Sequence, residues 1–214
     1  MTDRLNYIIS IIPDCNVFVD VGCDHGYVSY EMLKRGKCRK VVFTDISEKC
    51  LLKAQKLLEP FIIKGLARGV VCDGFNGLNS FDLALIAGMG GMEIIKILSS
   101  SNFLPRKLVL SPQKNVSEVR KKVVELGYHI DVDRVFYAEG KFYDILLLSK
   151  GEDKLNEEEI LFGRSNILER SSEFIDFINH NIRKLKCFLA NEKIKPSERA
   201  KLEKKVEIFS KYVK

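Results

Sequence analysis

Residues 17–27 read Val-Phe-Val-Asp-Val-Gly-Cys-Asp-His-Gly-Tyr, an apolar run that ends in an acid and a glycine-containing turn. The apolar run predicts a buried β-strand, and the turn predicts the start of a helix. A strand, a turn of this kind and a helix form the first half of a nucleotide-binding βαβ unit. A plain strand-to-helix turn of some other α/β protein is the alternative, so the interpretation depends on the strands that follow.

The turn departs from the Gly-x-Gly-x-x-Gly pattern of dinucleotide sites, in which the second glycine lets backbone amides reach a pyrophosphate. Gly22 and Cys23 are followed by Asp24, whose carboxylate would repel phosphate charges. S-adenosylmethionine carries a sulfonium and an ammonium and has no phosphate, so Asp20 and Asp24 would favour it. The turn therefore predicts a methyl-donor site rather than a nicotinamide site.

Two further strands are predicted to end in acids. Asp45 closes the run 39–45 and follows Asp20 by 25 residues, which suits the acid that holds the ribose hydroxyls. Asp73 closes the run 69–73 in the same way. Either acid alone is more often a helix cap. Acids at three successive strand ends favour a ligand in the crevice there, lined by Asp45, Ile46, Asp73 and Gly74.

The fourth predicted strand runs into a glycine-rich turn, residues 87–91, which read Ala-Gly-Met-Gly-Gly. Three glycines in four positions let the backbone approach a flat base or a methyl group closely. Tight packing between strand and helix is the second interpretation, and both can hold at once. We expect Ala87, Gly88 and Met89 to line the cofactor site, with Met89 near the reacting atoms.

Four motifs together resemble the bacterial tRNA (adenine-22 N1)-methyltransferases, the TrmK family, and the likeness extends from Arg4-Leu5 to the end of the chain. They are Asp20-x-Gly22-x-Asp24-His25-x-Tyr27 and the runs at 87–91, 110–113 and 140–146. The resemblance implies methylation of adenine N1 in the D-arm region of tRNA, and adenine binding by Asp73. The chain has Cys23 where the family commonly has serine. It has Leu-Ser-Pro-Gln at 110–113 where Leu-Gln-x-Asn is usual, which leaves the roles of Ser111 and Gln113 open.

The implied reaction is a direct displacement in which adenine N1 attacks the sulfonium methyl group in line. Proximity and alignment then supply most of the catalysis, and no strong base is required. The target base has to leave its stack to reach the pocket. We expect Asp24 to stabilise the cationic product and His25 and Tyr27 to orient the base or the donor. A helix cap is the alternative role for His25.

Length and composition predict one α/β domain with a small appendage, since the chain has 214 residues, 46% of them hydrophobic. No apolar run approaches the roughly 18 residues that span a bilayer. The start, Met1 to Arg4, lacks a secretory signature, so we expect a cytoplasmic protein. Six cysteines without Cys-x-x-Cys spacing and three dispersed histidines predict free thiols and no metal site.

The coarse pattern predicts a class I Rossmann-like methyltransferase sheet, in which parallel strands are closed by an antiparallel hairpin. The hairpin turns at Glu139-Gly140. We place the catalytic domain at 1–150 and a helical domain at 151–214. The parallel strands are predicted near 17–21, 41–44, 69–72, 82–87 and 107–111, and the hairpin strands at 128–137 and 141–149.

The last 64 residues predict an α-helical coiled-coil hairpin, because apolar residues recur every seventh position before Pro196 breaks the pattern. These are Leu161, Leu168, Ile175, Ile182 and Leu189. Residues 151–176 carry a net charge of −5 and residues 177–214 one of +7.

The basic end predicts contact with the tRNA backbone through Arg183, Lys184 and Lys186, helped by Arg4. An ordinary lysine-rich helix face and a dimerisation arm are the alternatives, although we favour a monomer. A small-molecule methyltransferase of the same fold and a non-catalytic RNA-binding protein are the rival functions.

Overall fold

A computed structural model of the chain describes residues 1–191 and 194–213. Within these residues one sheet has the strand order β3-β2-β1-β4-β5-β7-β6. The strands are β1 (Cys15–Val21), β2 (Cys38–Asp45), β3 (Ala67–Val71), β4 (Leu83–Ala87), β5 (Lys107–Ser111), β6 (Tyr128–Ala138) and β7 (Lys141–Lys150). Only β7 runs against the others, since β1 to β5 pair in parallel and β7 pairs antiparallel with both β5 and β6. The predicted methyltransferase sheet is confirmed.

Helices cover both faces of the sheet and continue beyond it. Ser47 caps α3, because its hydroxyl accepts a bond from the Cys50 amide, and the helix continues to Ile63. The helices are α1 (Asp3–Ile11), α2 (Tyr27–Lys34), α3 (Glu48–Ile63), α4 (Gly91–Ser100), α5 (Val116–Glu125), α6 (Glu157–Phe162), α7 (Arg164–Glu169), α8 (Ser172–Leu189) and α9 (Pro196–Ser210).

The central strands are buried on both faces, which explains their near-continuous apolar sequences. Alternate residues such as Phe18 and Leu83 pack under α1, α2 and α3. The intervening residues, such as Val19 and Ala84, pack under α4 and α5. Because β1 lies between β2 and β4, the chain reverses its winding direction at β1. Ligands of such sheets bind at this point, outside the carboxyl ends of the strands.

The prediction that the sevenfold spacing from Leu161 to Leu189 marks one coiled-coil helix is wrong. Gly163 and Arg170 have φ angles of 85° and 47°, so the chain turns at both residues and forms α6, α7 and α8. Leu161 and Leu168 are 40% and 75% exposed and do not belong to an apolar seam. Among the described residues, the helical hairpin consists of α8 and α9.

A buried ion-pair network fastens the first of these helices to the sheet. Arg120 is 1% exposed and donates two bonds to the Asp133 carboxylate, at 2.7 and 2.8 Å, and one to Asp144 at 3.3 Å. Its remaining amino group donates to the carbonyls of Ile160 and Leu161, both at 3.1 Å. Arg120 of α5 therefore joins the end of α6 to carboxylates of β6 and β7.

Candidate active site

A cleft of about 590 Å³ opens at the carboxyl ends of β1, β2 and β4. Every residue that the sequence predicts for cofactor binding or catalysis lines it. They are Asp20, Gly22, Cys23, Asp24, His25, Tyr27, Asp45, Ile46, Asp73, Gly74, Ala87, Gly88 and Met89. The structure thus brings together residues from the ends of four strands and from the turns that follow them.

Asp20 is the buried acid of the cleft, with 5% of its surface exposed. One carboxylate oxygen accepts bonds from the Ser29 amide and hydroxyl, at 3.2 and 2.7 Å. These bonds tie the end of β1 to α2. Burial raises the pKa of Asp20 to about 6, although the bonds from Ser29 oppose the change. A cationic group placed beside this carboxyl would favour its ionised form.

Asp45 holds the turn between β1 and α2 in place. One of its oxygens accepts a bond from the Asp24 amide at 3.3 Å, and the other accepts one from the Ser47 amide at 2.8 Å. Asp24 has a φ of 47°, a left-handed conformation that is uncommon for aspartate. The Asp45 carboxylate stabilises this conformation and keeps the turn open towards the cleft.

His25 and Tyr27 form a stacked pair at the rim of the cleft, with ring centroids 5.5 Å apart. The Tyr27 ring is 51% exposed, and His25 Nε2 lies 3.8 Å from the Asp24 carboxylate. The residue at the cap position of α2 is Gly26, with no side-chain cap. The alternative interpretation of His25 as a helix cap is therefore wrong.

The glycines of the turn after β4 lie in different surroundings. Gly88 lines the cleft. A β-carbon on Gly91 would lie 2.5 Å from the Lys114 carbonyl oxygen, and one on Gly90 would lie 3.2 Å from Lys114 Cε. These two glycines permit close packing against residues 114–115, while Gly88 and Met89 face the ligand space. Tight packing therefore holds for Gly90 and Gly91. Close approach of a ligand at Gly88 and Met89, which line the cleft, stays a prediction.

Gln113 is a cleft residue whose role the sequence left open. Its side-chain amide donates to the Gly88 carbonyl at 2.7 Å, and its backbone amide donates to the Met89 carbonyl at 2.9 Å. Ser111, by contrast, is buried and donates to the Asp144 carbonyl at 2.9 Å. Gln113 therefore fixes the glycine-rich turn, and Ser111 connects β5 to β7.

Several other residues line the cleft, some next to predicted residues in the same motifs and some from elements without a recognisable ligand motif. The first helix brings its start over the cleft, and the β6–β7 turn reaches it with Glu139. The missed residues are Thr2, Leu5, Val21, Val28, Cys72, Leu85, Glu93, Ile97, Gln113 and Glu139.

The residues predicted to bind RNA lie in separate places. Arg4 lines the cleft, with its guanidinium 5.0 Å from the centre of the Tyr143 ring. Its buried Nε has no hydrogen-bond partner among the described residues. Arg183 and Lys184 line a second groove, described below, and Lys186 is exposed on the same helix. Only Arg4 joins the predicted cofactor residues.

The described part of the chain offers neither a metal centre nor a membrane-spanning helix. No group of three or more histidine, cysteine, aspartate or glutamate side chains is arranged to hold a metal ion there. No helix in the same residues combines the length and apolarity needed to cross a membrane.

Comparisons with known proteins agree with this geometry. A family model described as a methyltransferase domain matches residues 1–146. A Mycoplasma pneumoniae protein named "Putative tRNA methyltransferase" is 31% identical over 76% of this chain and 79% of its own length. The Bacillus subtilis tRNA (adenine(22)-N(1))-methyltransferase is 24% identical over 71% of this chain and 66% of its own.

A solved structure is similar along its whole length. This Streptococcus pneumoniae protein, described as a "putative tRNA (m1A22) methyltransferase" in complex with S-adenosyl-L-methionine, has a TM-score of 0.90 and 25% identity, with full coverage of both chains. The strand order and the cleft define a class I methyltransferase. Within that class, the chain belongs to the methyltransferase-domain family and is related to its tRNA methyltransferases.

Proposed function

We propose that the protein transfers a methyl group from S-adenosylmethionine to N1 of adenine 22 in tRNA. One observation carries the proposal: acids from β1, β2 and β3 meet the glycine-rich turn after β4 in a single cleft, in a chain of the methyltransferase-domain family. The names of the relatives supply the substrate atom. The side chains of the cleft supply the groups that would bind the donor and orient the adenine.

The residues of the cleft suit S-adenosylmethionine, which supplies an electrophilic methyl group on a sulfonium. Asp20 is a buried carboxyl without a cationic partner among the described residues, and the ammonium of the donor would provide one. Asp45 would accept the ribose hydroxyls. Asp73 would accept the adenine amine. Ile46, 72% exposed beside Asp45, offers an apolar surface for the adenine ring.

The residues around the methyl group of the donor would align the adenine and stabilise the charge that develops on it. Asp24 is exposed at the turn, where its carboxylate can balance the positive charge that develops on the methylated adenine. The His25–Tyr27 pair offers a flat, half-exposed surface on which an extruded base can stack. Met89 and Gly88 shape the floor next to it. Since adenine N1 is already nucleophilic, these residues need only hold it in line.

The basic face of α8 would hold the tRNA backbone through Arg183, Lys184 and Lys186, while Arg4 would act at the cleft. In this proposal residues 1–150 form the catalytic domain and residues 151–214 the tRNA-binding domain. Glu192, Lys193 and Lys214, which contribute to the +7 charge of the end, lie outside the described residues. We further propose that the protein is a cytoplasmic monomer.

Charge-neutralising variants test the basic face better than truncation does. A chain that ends near Ser149 would lose the carbonyls that Arg120 binds and would uncover Val135, which packs against Phe162 and Phe174. Replacing Arg183, Lys184 and Lys186 by glutamine leaves this core intact. It should flatten the dependence of tRNA affinity on salt concentration.

Methyl-labelled S-adenosylmethionine, mixed with the protein and either bulk tRNA or a set of small amine metabolites, tests the substrate class. The label should enter tRNA. Label found only in small molecules would favour a small-molecule methyltransferase, and label in neither would favour a non-catalytic RNA-binding protein.

A further inference from the structure

A second cavity, of about 1120 Å³, lies between the β6–β7 hairpin and α8, and we call it the hairpin groove. We propose that it binds an unpaired nucleotide of the tRNA, close along the chain to the nucleotide in the active cleft. The inference rests on the proposed function and names where the RNA runs. The groove residues that carry it are Tyr137, Lys141, Phe142, His180, Arg183 and Lys184.

An aromatic platform forms one wall of the hairpin groove. Tyr137 is 56% exposed, and its ring meets Phe142 edge-on with centroids 4.9 Å apart. Phe142 in turn contacts Phe177 at 5.6 Å and His180 at 5.7 Å. An exposed tyrosine ring supported from behind by aromatic side chains is the kind of surface on which RNA-binding proteins stack unpaired bases.

Cationic groups lie along the same groove. Lys141, Arg183 and Lys184 all line it, and none of them forms an ion pair with another described residue. Flexible cations without a protein partner can each neutralise a phosphate. A base stacked on Tyr137 and a phosphate bound by these side chains would together hold both parts of one nucleotide.

Two acids, Glu173 and Asp176, also line the groove, on the first turns of α8. Glu173 accepts a bond from the Ser172 hydroxyl and is engaged at the start of the helix. Arg183 and Lys184 lie two turns further along. The groove therefore has an acidic and a basic end, so it suits a nucleotide, which carries both donor groups and a phosphate, better than a simple anion.

The hairpin turn places the groove next to the active cleft. Glu139 lines the active cleft, and Gly140 and Lys141, which follow directly, line the hairpin groove. A strand of RNA that leaves one base in the cleft can therefore cross the β6–β7 turn and enter the groove. The turn is tight, with φ angles of 51° at Glu139 and 79° at Gly140, so it forms a fixed ridge.

The test uses the full chain with S-adenosylmethionine and a tRNA transcript. Tyr137→Ala should raise KM for tRNA about tenfold, with kcat and donor affinity unchanged, because one stacking contact is lost. Tyr137→Phe keeps the ring and should retain wild-type KM. Phe188→Ala removes an exposed aromatic of α8 outside the groove, and should have no effect.

Two double variants, each of which removes two positive charges, provide a second experiment. Arg183→Gln with Lys184→Gln should lower the log–log salt slope of tRNA binding by roughly 1 to 2. Lys53→Gln with Lys56→Gln removes the same charge from the exposed face of α3 and should leave the slope unchanged. Thermal unfolding checks that each variant is folded.

The outcomes separate the two proposals. Failure of the wild-type protein to methylate tRNA would overturn the proposed function. Methylation by the wild type with an unchanged KM in folded Tyr137→Ala would overturn the hairpin groove and leave the methyltransferase function standing. An unchanged salt slope in the Arg183 and Lys184 variant would also overturn the contact of these two residues with the tRNA backbone.

Discussion

The side chain of Met89 occupies the space that a β-carbon of residue 22 would fill. A β-carbon built on Gly22 would lie 2.2 Å from Met89 Cε. Gly22 also has a φ of 66°, which L side chains rarely adopt. The turn after β1 and the turn after β4 are thus in contact at the floor of the cleft, through the backbone of Gly22 and the thioether of Met89.

Replacing Gly22 by alanine should therefore have two effects. The positive φ should lower the free energy of unfolding by about 1–2 kcal/mol. The new methyl group should push Met89 into the cleft and weaken S-adenosylmethionine binding. Denaturant unfolding and calorimetric titration measure the two quantities.

Gly36→Ala is the matched control, because Gly36 has a φ of 67° and no atom within 4 Å of a β-carbon there. It should lose similar stability and keep donor affinity. Equal donor affinity in both variants would show that the contact between Gly22 and Met89 does not shape the site.

Asp45→Ala should weaken donor binding by about 1.5–3 kcal/mol, the range for bonds to a charged group. Asp45 also accepts bonds from the Asp24 and Ser47 amides, so part of the loss could be local disorder. Ser47→Ala removes the cap of α3 and keeps the Asp45 carboxylate. If Ser47→Ala weakened donor binding as much as Asp45→Ala, the role of Asp45 as a ribose ligand would be refuted.

The buried Asp20 predicts a pH dependence of stability. Its pKa is raised to about 6 from 3.8, so between these values the folded protein holds a proton that the unfolded chain has released. The free energy of unfolding should fall as pH rises through this window. Asp20→Asn should remove the contribution of Asp20 to this change in the free energy of unfolding, which is up to about 3 kcal/mol. The contribution of Asp144 should remain, because burial also raises the pKa of that carboxyl to about 6.

Asp20→Asn should also bind S-adenosylmethionine more weakly at pH 7, because a neutral amide cannot form an ion pair with the ammonium of the donor. Unfolding titrations from pH 4 to 7, with and without donor, measure both effects. A slope equal to that of the wild type would contradict the burial argument, and undiminished donor binding would contradict the pairing.

Arg120→Met should cost about 3–5 kcal/mol, because it leaves the Asp133 and Asp144 carboxylates without their cation in the interior. Arg134→Met is the matched control. Arg134 also binds a carboxylate through two bonds, both 2.7 Å to Glu169, but at the surface. Its loss should cost under about 1 kcal/mol. Similar costs for the two variants, measured by denaturant unfolding, would refute the importance of burial.

The cleft could be predicted from the sequence because its residues follow strands in order. Parallel strands bring their ends to one edge, so Asp20, Asp45 and Asp73 had to meet once the strands were recognised. What could not be predicted is how each acid is used within the protein. The bonds from Ser29 to Asp20 and from the Asp24 amide to Asp45 depend on the exact path of the turn.

The helical end was harder to predict, because a sevenfold spacing of leucine and isoleucine does not show where a helix stops. Gly163 is a signal that the sequence did contain. Glycine is required there for two reasons: its φ is 85°, and a β-carbon would lie 2.5 Å from the Asp133 carboxylate. Arg170 gives no such signal, because arginine seldom adopts a positive φ. The role of Gln113 likewise emerged only from its bond to Gly88.

Nucleoside analysis of a methylated transcript shows whether the protein methylates N1 of adenine 22. A tRNA transcript with adenine at position 22 is incubated with the protein and S-adenosylmethionine, digested, and analysed by mass spectrometry, beside a transcript that carries guanine there. We expect one N1-methyladenine per transcript with adenine 22 and none with guanine 22. N1-methyladenine in equal amounts from both transcripts, or none from either with folded protein that binds the donor, would contradict the proposed function.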